Sequence, residues 1–114
     1  MLYNFHMKPV EFLGDSLEAL QQFPRGARRG AGFQLDKVQR GLDPDDWKPM
    51  KTVGAGVKEI RVRDAVAAFR VIYVARLAEA IFVLHCFEKK SRRTPASDIA
   101  IARKRYRQLV WRYR

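Results

Sequence analysis

VKEIRVRD (57–64), FRVIYVA (69–75) and IFVLHCF (81–87) follow one another across short links, and EKKSRRTP (88–95) closes the series. Each run is rich in β-branched and aromatic residues and has strand length. Links of four and five residues predict an antiparallel meander. Two arginines, Arg61 and Arg70, interrupt the apolar character, and the third run delivers the chain into Lys89, Lys90, Arg92 and Arg93. A small sheet that carries arginines and ends in a cationic rim suits polyanions, of which RNA is the first to consider.

Working outward, the chain supplies helices on both sides of these strands. KPVEFL (8–13) predicts a short first strand, which Pro9 either starts or places at a sheet edge. Asp15 or Ser16 is placed to cap a helix whose stripe is Leu17, Leu20 and Phe23. A second helix is expected from Pro24 to Arg40, with Ala27, Ala31, Leu35 and Val38 as its apolar face and Gly41 as its stop. Residues 42–48 read as a loop anchored by Trp47. Strands are expected at 57–63, 68–75 and 79–87. Thr94 with Pro95 predicts the start of a last helix whose apolar face is Ile99, Ala102, Tyr106, Leu109 and Tyr113. The expected order is β-α-α-β-β-β-α. This is an α+β fold with a small antiparallel sheet, two N-terminal helices on one face and a C-terminal helix.

The chain has 114 residues, enough for one core. Met7 offers an internal start, which makes residues 1–6 an N-terminal extension and 7–114 a single domain. Twelve glycines and prolines and 47% hydrophobic residues are globular values. The formal net charge is +11, and it is uneven: from Lys89 onward ten Lys or Arg face one acid, Asp98. The preceding residues carry thirteen against eleven. A localised basic face is the footprint of a nucleic-acid binder, or of a docking face for an acidic protein. A single cysteine, Cys86, excludes a disulfide framework and fits a reducing compartment. One Cys with His6 and His85 does not make a standard zinc set, so neither a metal nor another cofactor is expected. No apolar run approaches the length of a membrane span, and no secretory signal opens the chain, so a cytoplasmic location is expected.

The element order, together with Glu59-Ile60-Arg61, Phe69 to Tyr73, Val83 to Lys90 and the Thr94-Pro95 helix start, resembles the RelE/ParE superfamily of bacterial toxins. Within it the chain is most similar to the HigB-like, phage-derived branch. The resemblance covers nearly all of residues 7–110. It implies an mRNA endonuclease of a type II toxin–antitoxin system, working on the ribosome and without a metal. It also implies an antitoxin partner, commonly a helix-turn-helix protein. Two departures stand out: the last helix is unusually rich in arginine, and Ser91-Arg92-Arg93 is more basic than the branch's usual run. ParE-type members share the fold and poison gyrase, so a non-enzymatic binder is the alternative.

RNA cleavage needs a base for the 2′-hydroxyl proton, positive charge on the phosphate and an acid for the leaving oxygen. Arginine's fork suits the phosphate role. The catalytic candidates are therefore Arg61, Arg70, Lys90 and His85; crowding among cations is the way a lysine such as Lys90 becomes a usable base or acid. His85 is also readable as an interior residue, since its run is apolar throughout. The RNA-binding candidates are Lys48, Lys51, Lys89, Arg92 and Arg93. Glu59 either pairs with one of the arginines or faces solvent.

Overall fold

The computed structural model describes residues 7–113, in the order β1 (Val10–Phe12), α1 (Ser16–Gln21), α2 (Arg25–Gln39), β2 (Trp47–Pro49), β3 (Val57–Arg63), β4 (Ala68–Val74), β5 (Ile81–Lys89) and α3 (Ala96–Arg112). The suggested extension, residues 1–6, lies outside the described residues. The meander of β3, β4 and β5 forms as its alternation requires, and the α+β architecture is the expected one.

The sheet is nonetheless larger and more varied than the expected antiparallel one. Its order is β1-β5-β4-β3-β2. At one edge β1 runs parallel to β5, with Val10 opposite Ile81. At the other, Trp47 and Lys48, expected in a loop, form β2 with Pro49 and pair with Ile60 and Glu59. An edge position tolerates Pro49, which has no amide proton to give a further neighbour. The third meander strand ends at Lys89 rather than at Phe87, which brings Lys89 into the sheet.

Each face of the sheet carries its own core. On one side α1 and α2 bury Leu20, Phe23, Ala31 and Leu35 against Ile60, Val71, Tyr73 and Val83. On the other, Ala102 and Leu109 of α3 pack with Val57, Ile72, Val74, Phe82 and Leu84. Two cores on one sheet explain why β4 and β5 read as nearly continuous apolar runs: both faces are covered. The expected stop of α2 forms as drawn. Gly41 adopts φ +83°, donating its amide to the Val38 carbonyl, while Leu42 donates to that of Lys37. This is the left-handed closure that glycine allows without strain.

The expected side-chain caps do not form, because their oxygens are engaged elsewhere. Asp15 occupies the N-cap of α1, but its carboxylate accepts from Arg105 of α3 at 2.7 Å. Ser16 is buried and donates to the Val83 carbonyl. Pro95, not Thr94, takes the N-cap of α3, so the helix starts one residue later than expected, and Thr94 donates to Glu59. Tyr113, expected on the buried face of α3, is exposed beyond its end.

Candidate active site

Register decides which side chains meet. Arg61 lies directly opposite Arg70 across β3 and β4, and Arg70 lies opposite Phe87 on β5. One row toward the sheet's end are Arg63, Ala68 and Lys89; one row inward are Glu59, Ile72 and His85. Cross-strand partners share a face, and Ile72 and Phe87 belong to the core beneath α3. The arginine pair, Glu59 and Lys89 therefore lie on the α3 side. α3 begins beside Glu59 and runs back along β5, touching His85 with Asp98 and Leu84 with Arg105. The arginine row lies beyond its start, with Arg61 half-buried and Arg70 buried.

Glu59 is the hub of this row. Its side chain is 0% exposed, and a carboxylate so buried must be paired. Oε1 lies 3.5 Å from Arg70 Nε, 3.9 Å from Arg61 Nε and 3.9 Å from Lys48 Nζ. Oε2 accepts from the Thr94 hydroxyl at 3.2 Å. One negative charge thus allows two like-charged guanidinium groups to face each other. The cluster is under-satisfied: among the described residues, Glu59 Oε1, Arg61 Nε and Arg70 Nε are buried without a hydrogen-bond partner. Burial holds the Arg70 pKa below its ordinary value, with Glu59 opposing that shift. Desolvation, and next the charge of Arg70, lower that of Lys89. Arg63, Ala68, Arg70, Lys89, Lys90, Ser91 and Arg92 line a shallow groove of about 360 Å³ over this row.

The candidates fall into three groups. Arg61, Arg70 and Lys89 share the open end of the sheet face, with Lys90 and Arg92 exposed at its rim. Lys48, Lys51, Arg92 and Arg93 converge on an adjoining cleft. His85 stands apart. A β-bulge puts Tyr73 opposite Val83 but Ile72 opposite His85, so β5 gains one residue there. Simple alternation would have sent His85 with Ile81 and Val83 toward α1 and α2; the bulge turns it toward α3. Its Nε2 lies 2.7 Å from Asp98 Oδ1, its ring stacks on Phe87 at 5.2 Å, and only 7% of the residue is exposed. His85 is therefore held beneath α3 rather than in the groove. Cys86 is buried, and burial pushes its thiol up to about 12, so it stays protonated at neutral pH. Among the described residues, no three His, Cys, Asp or Glu side chains are grouped to hold a metal ion.

The model of a family described as phage-derived protein Gp49-like (DUF891) matches residues 18–107, which span α1 to most of α3 and every residue of the arginine row. The chain belongs to that family. Gp49-like proteins are part of the RelE/HigB-like toxin group and are associated with toxin–antitoxin systems. No curated protein matches the chain.

In this Gp49-like chain the groove can do two things chemically. It can meet a phosphodiester with Lys90 and Arg92 at its rim and with the edge of Arg70, whose position is set by a buried carboxylate and whose neighbour Arg61 lies beside the groove, and it offers in Lys89 a lysine whose pKa is lowered. Sequence reasoning under-weighted Glu59, whose partnership with the arginines was only one of two options, and missed the roles of Thr94 and Asp98. Alternation did place Glu59 on the face of Arg61. What it lacked was the closure of β2 and α3 over that face. Among the described residues, no helix is long and apolar enough to cross a membrane.

Proposed function

We propose that this protein is the toxin of a toxin–antitoxin pair and acts as an endoribonuclease on mRNA, associated with the ribosome and in need of no metal. The observation that carries the reading is the opposed Arg61–Arg70 pair, held by buried Glu59 beside a basic groove that Arg70 lines. In the reaction the RNA's own 2′-oxygen attacks the adjacent phosphorus. The bond from phosphorus to the 5′-oxygen breaks, leaving a 2′,3′-cyclic phosphate and a free 5′-hydroxyl. Arg61 and Arg70 hold the non-bridging oxygens as charge builds on them. Lys89, with its lowered pKa and its place beside Arg70, takes the 2′-proton, and the departing 5′-oxygen takes its proton from solvent water. Lys90 and Arg92 at the rim bind the flanking backbone. This assigns Lys89 the reactive role first expected of Lys90, and makes His85 a support for α3. Membership of the family supports a cognate antitoxin as the protein partner. The test is mapping of new 5′ ends on a translated mRNA after adding purified protein to ribosomes. New ends bearing 5′-hydroxyls support the reading, and intact message ends it.

The enclosure of His85 favours one competitor, a binder of the same fold that does no chemistry. Lys89→Ala separates the two. An enzyme loses far more rate than affinity, whereas a binder loses only the affinity of one charge.

A further inference from the structure

Beside the arginine groove lies a second and larger cleft, of about 520 Å³, between the turn after β2 and the segment leading into α3. Its rim is cationic: Lys48 and Lys51 come from one side, and Arg92 and Arg93 from the other, some forty residues later. Among the described residues, no acidic one lines it. Lys48 leans on Glu59, but Lys51, Arg92 and Arg93 are exposed and, among the described residues, brought together without a compensating charge. Like charges gathered this way oppose folding unless an anion fills the space between them. The floor is different in kind. Buried Met50 and half-buried Ile99 present an apolar surface below the cations. A bare phosphate or a carboxylate has no use for such a floor; a nucleotide carries both a charge for the rim and a flat apolar face for the floor. The volume is within the range of small-ligand sites. Arg92 lines both this cleft and the groove, so the two are continuous.

We infer that this cleft is a nucleotide subsite that takes one unpaired base of the RNA against Met50 and Ile99, with a flanking phosphate on Lys51 and Arg93. The inference rests on the RNA reading of the arginine groove and adds to it a place where the neighbouring nucleotide is held. Selectivity then comes from the base's stacking face, and the phosphate contact sets the register of the strand over Arg61 and Arg70.

The experiment uses the full chain and short single-stranded RNAs, each carrying a 2′-deoxy sugar at the cut position so that it is bound and not cleaved. One nucleotide at a time is made abasic, and affinity is read by fluorescence anisotropy at several salt concentrations. One abasic position is expected to weaken binding at least about fivefold. Ile99→Ser is expected to remove the penalty at that position and at no other. The exposed double variant Lys51→Ala with Arg93→Ala is expected to lower the salt slope by about 0.7, one single-strand phosphate contact. The inference is overturned if no position shows a penalty, or if Ile99→Ser leaves the penalty in place. It is also overturned if the double variant loses affinity for a polyglutamate peptide but not for RNA, which makes the cleft a protein-docking site. Failure of the wild-type chain to bind any of these RNAs removes the RNA reading of the groove itself, a result distinct from loss of the subsite alone.

Discussion

Arg70 illustrates how one residue is tied to both folding and chemistry. Its partner Glu59 is fully buried, so removing the guanidinium leaves a charge stranded in a low-dielectric place. Arg70→Ala is expected to cost about 3 kcal/mol of stability as well as activity. Arg70→Lys keeps the charge and loses the fork, so its melting temperature should stay close to that of the wild type while cleavage falls about a hundredfold. The double variant Glu59→Gln with Arg70→Ala should regain stability without activity. If it regains both, the arginine is a structural ion pair only. Lys89 gives a second test. Its pKa is held below the ordinary lysine value, and only its free amine accepts a proton. The cleavage rate should therefore climb with pH as long as the pH stays below that lowered value, and level off above it. Lys89→Arg, which stays protonated, should flatten the climb; an unchanged pH profile assigns the proton to another group. Alternation alone placed Arg61 and Glu59 on one face, so this much of the site was readable in the sequence. The burial of Glu59 was not, because β2 and Thr94 supply it from distant segments.

At the scale of elements, α3 is fastened to the start of the chain by charges on its own outer turns. Arg105 pairs with Asp15 and also donates to the Leu84 carbonyl; Arg112 pairs with Glu11. These hydrogen bonds hold both carboxyls below their usual pKa. A carboxylate with a depressed folded-state pKa contributes stability that is present above its unfolded value, about 4. That contribution is lost as the pH falls through the lower folded value. Hydrogen exchange should therefore show α3 loosening in acid before β3 to β5; simultaneous loss of protection would mean these pairs do not fasten the helix. α3 also touches the turn after β2. Tyr106 donates to the Ala55 carbonyl, and a Cβ added at Gly54 would lie 2.3 Å from its ring. Gly54→Ala should destabilise the protein by about 1–3 kcal/mol in a denaturant titration, and a neutral result would mean that the ring swings aside cheaply.

The whole molecule carries +11, concentrated from Lys89 onward. Such a field steers polyanions of every kind, so a neutralising antitoxin is expected to bring carboxylates to Lys89, Lys90, Arg92 and Arg93, or to cover the arginine face. Electrostatic complementarity of this sort acts chiefly on the rate of association. Stopped-flow mixing should show that rate falling about tenfold or more between low and physiological salt, with dissociation nearly constant. A rate indifferent to salt places the antitoxin elsewhere, on α1 and α2.

What the sequence determined by itself is local or periodic. Alternation marks β3, β4 and β5, Gly41 marks the end of α2, and the run from Lys89 to Arg93 marks the basic rim. Each depends on neighbours a few residues apart, and so survives without knowledge of the rest of the chain. The tertiary structure alone decided the parallel seat of β1, the bulge that turns His85 beneath α3, the sealing of Glu59 between Arg61, Arg70 and Thr94, and the meeting of Lys51 with Arg93. Each of these depends on which strands pair and in what register. That choice is set by the burial of two cores at once and by contacts between segments tens of residues apart, whose free energy no local pattern records.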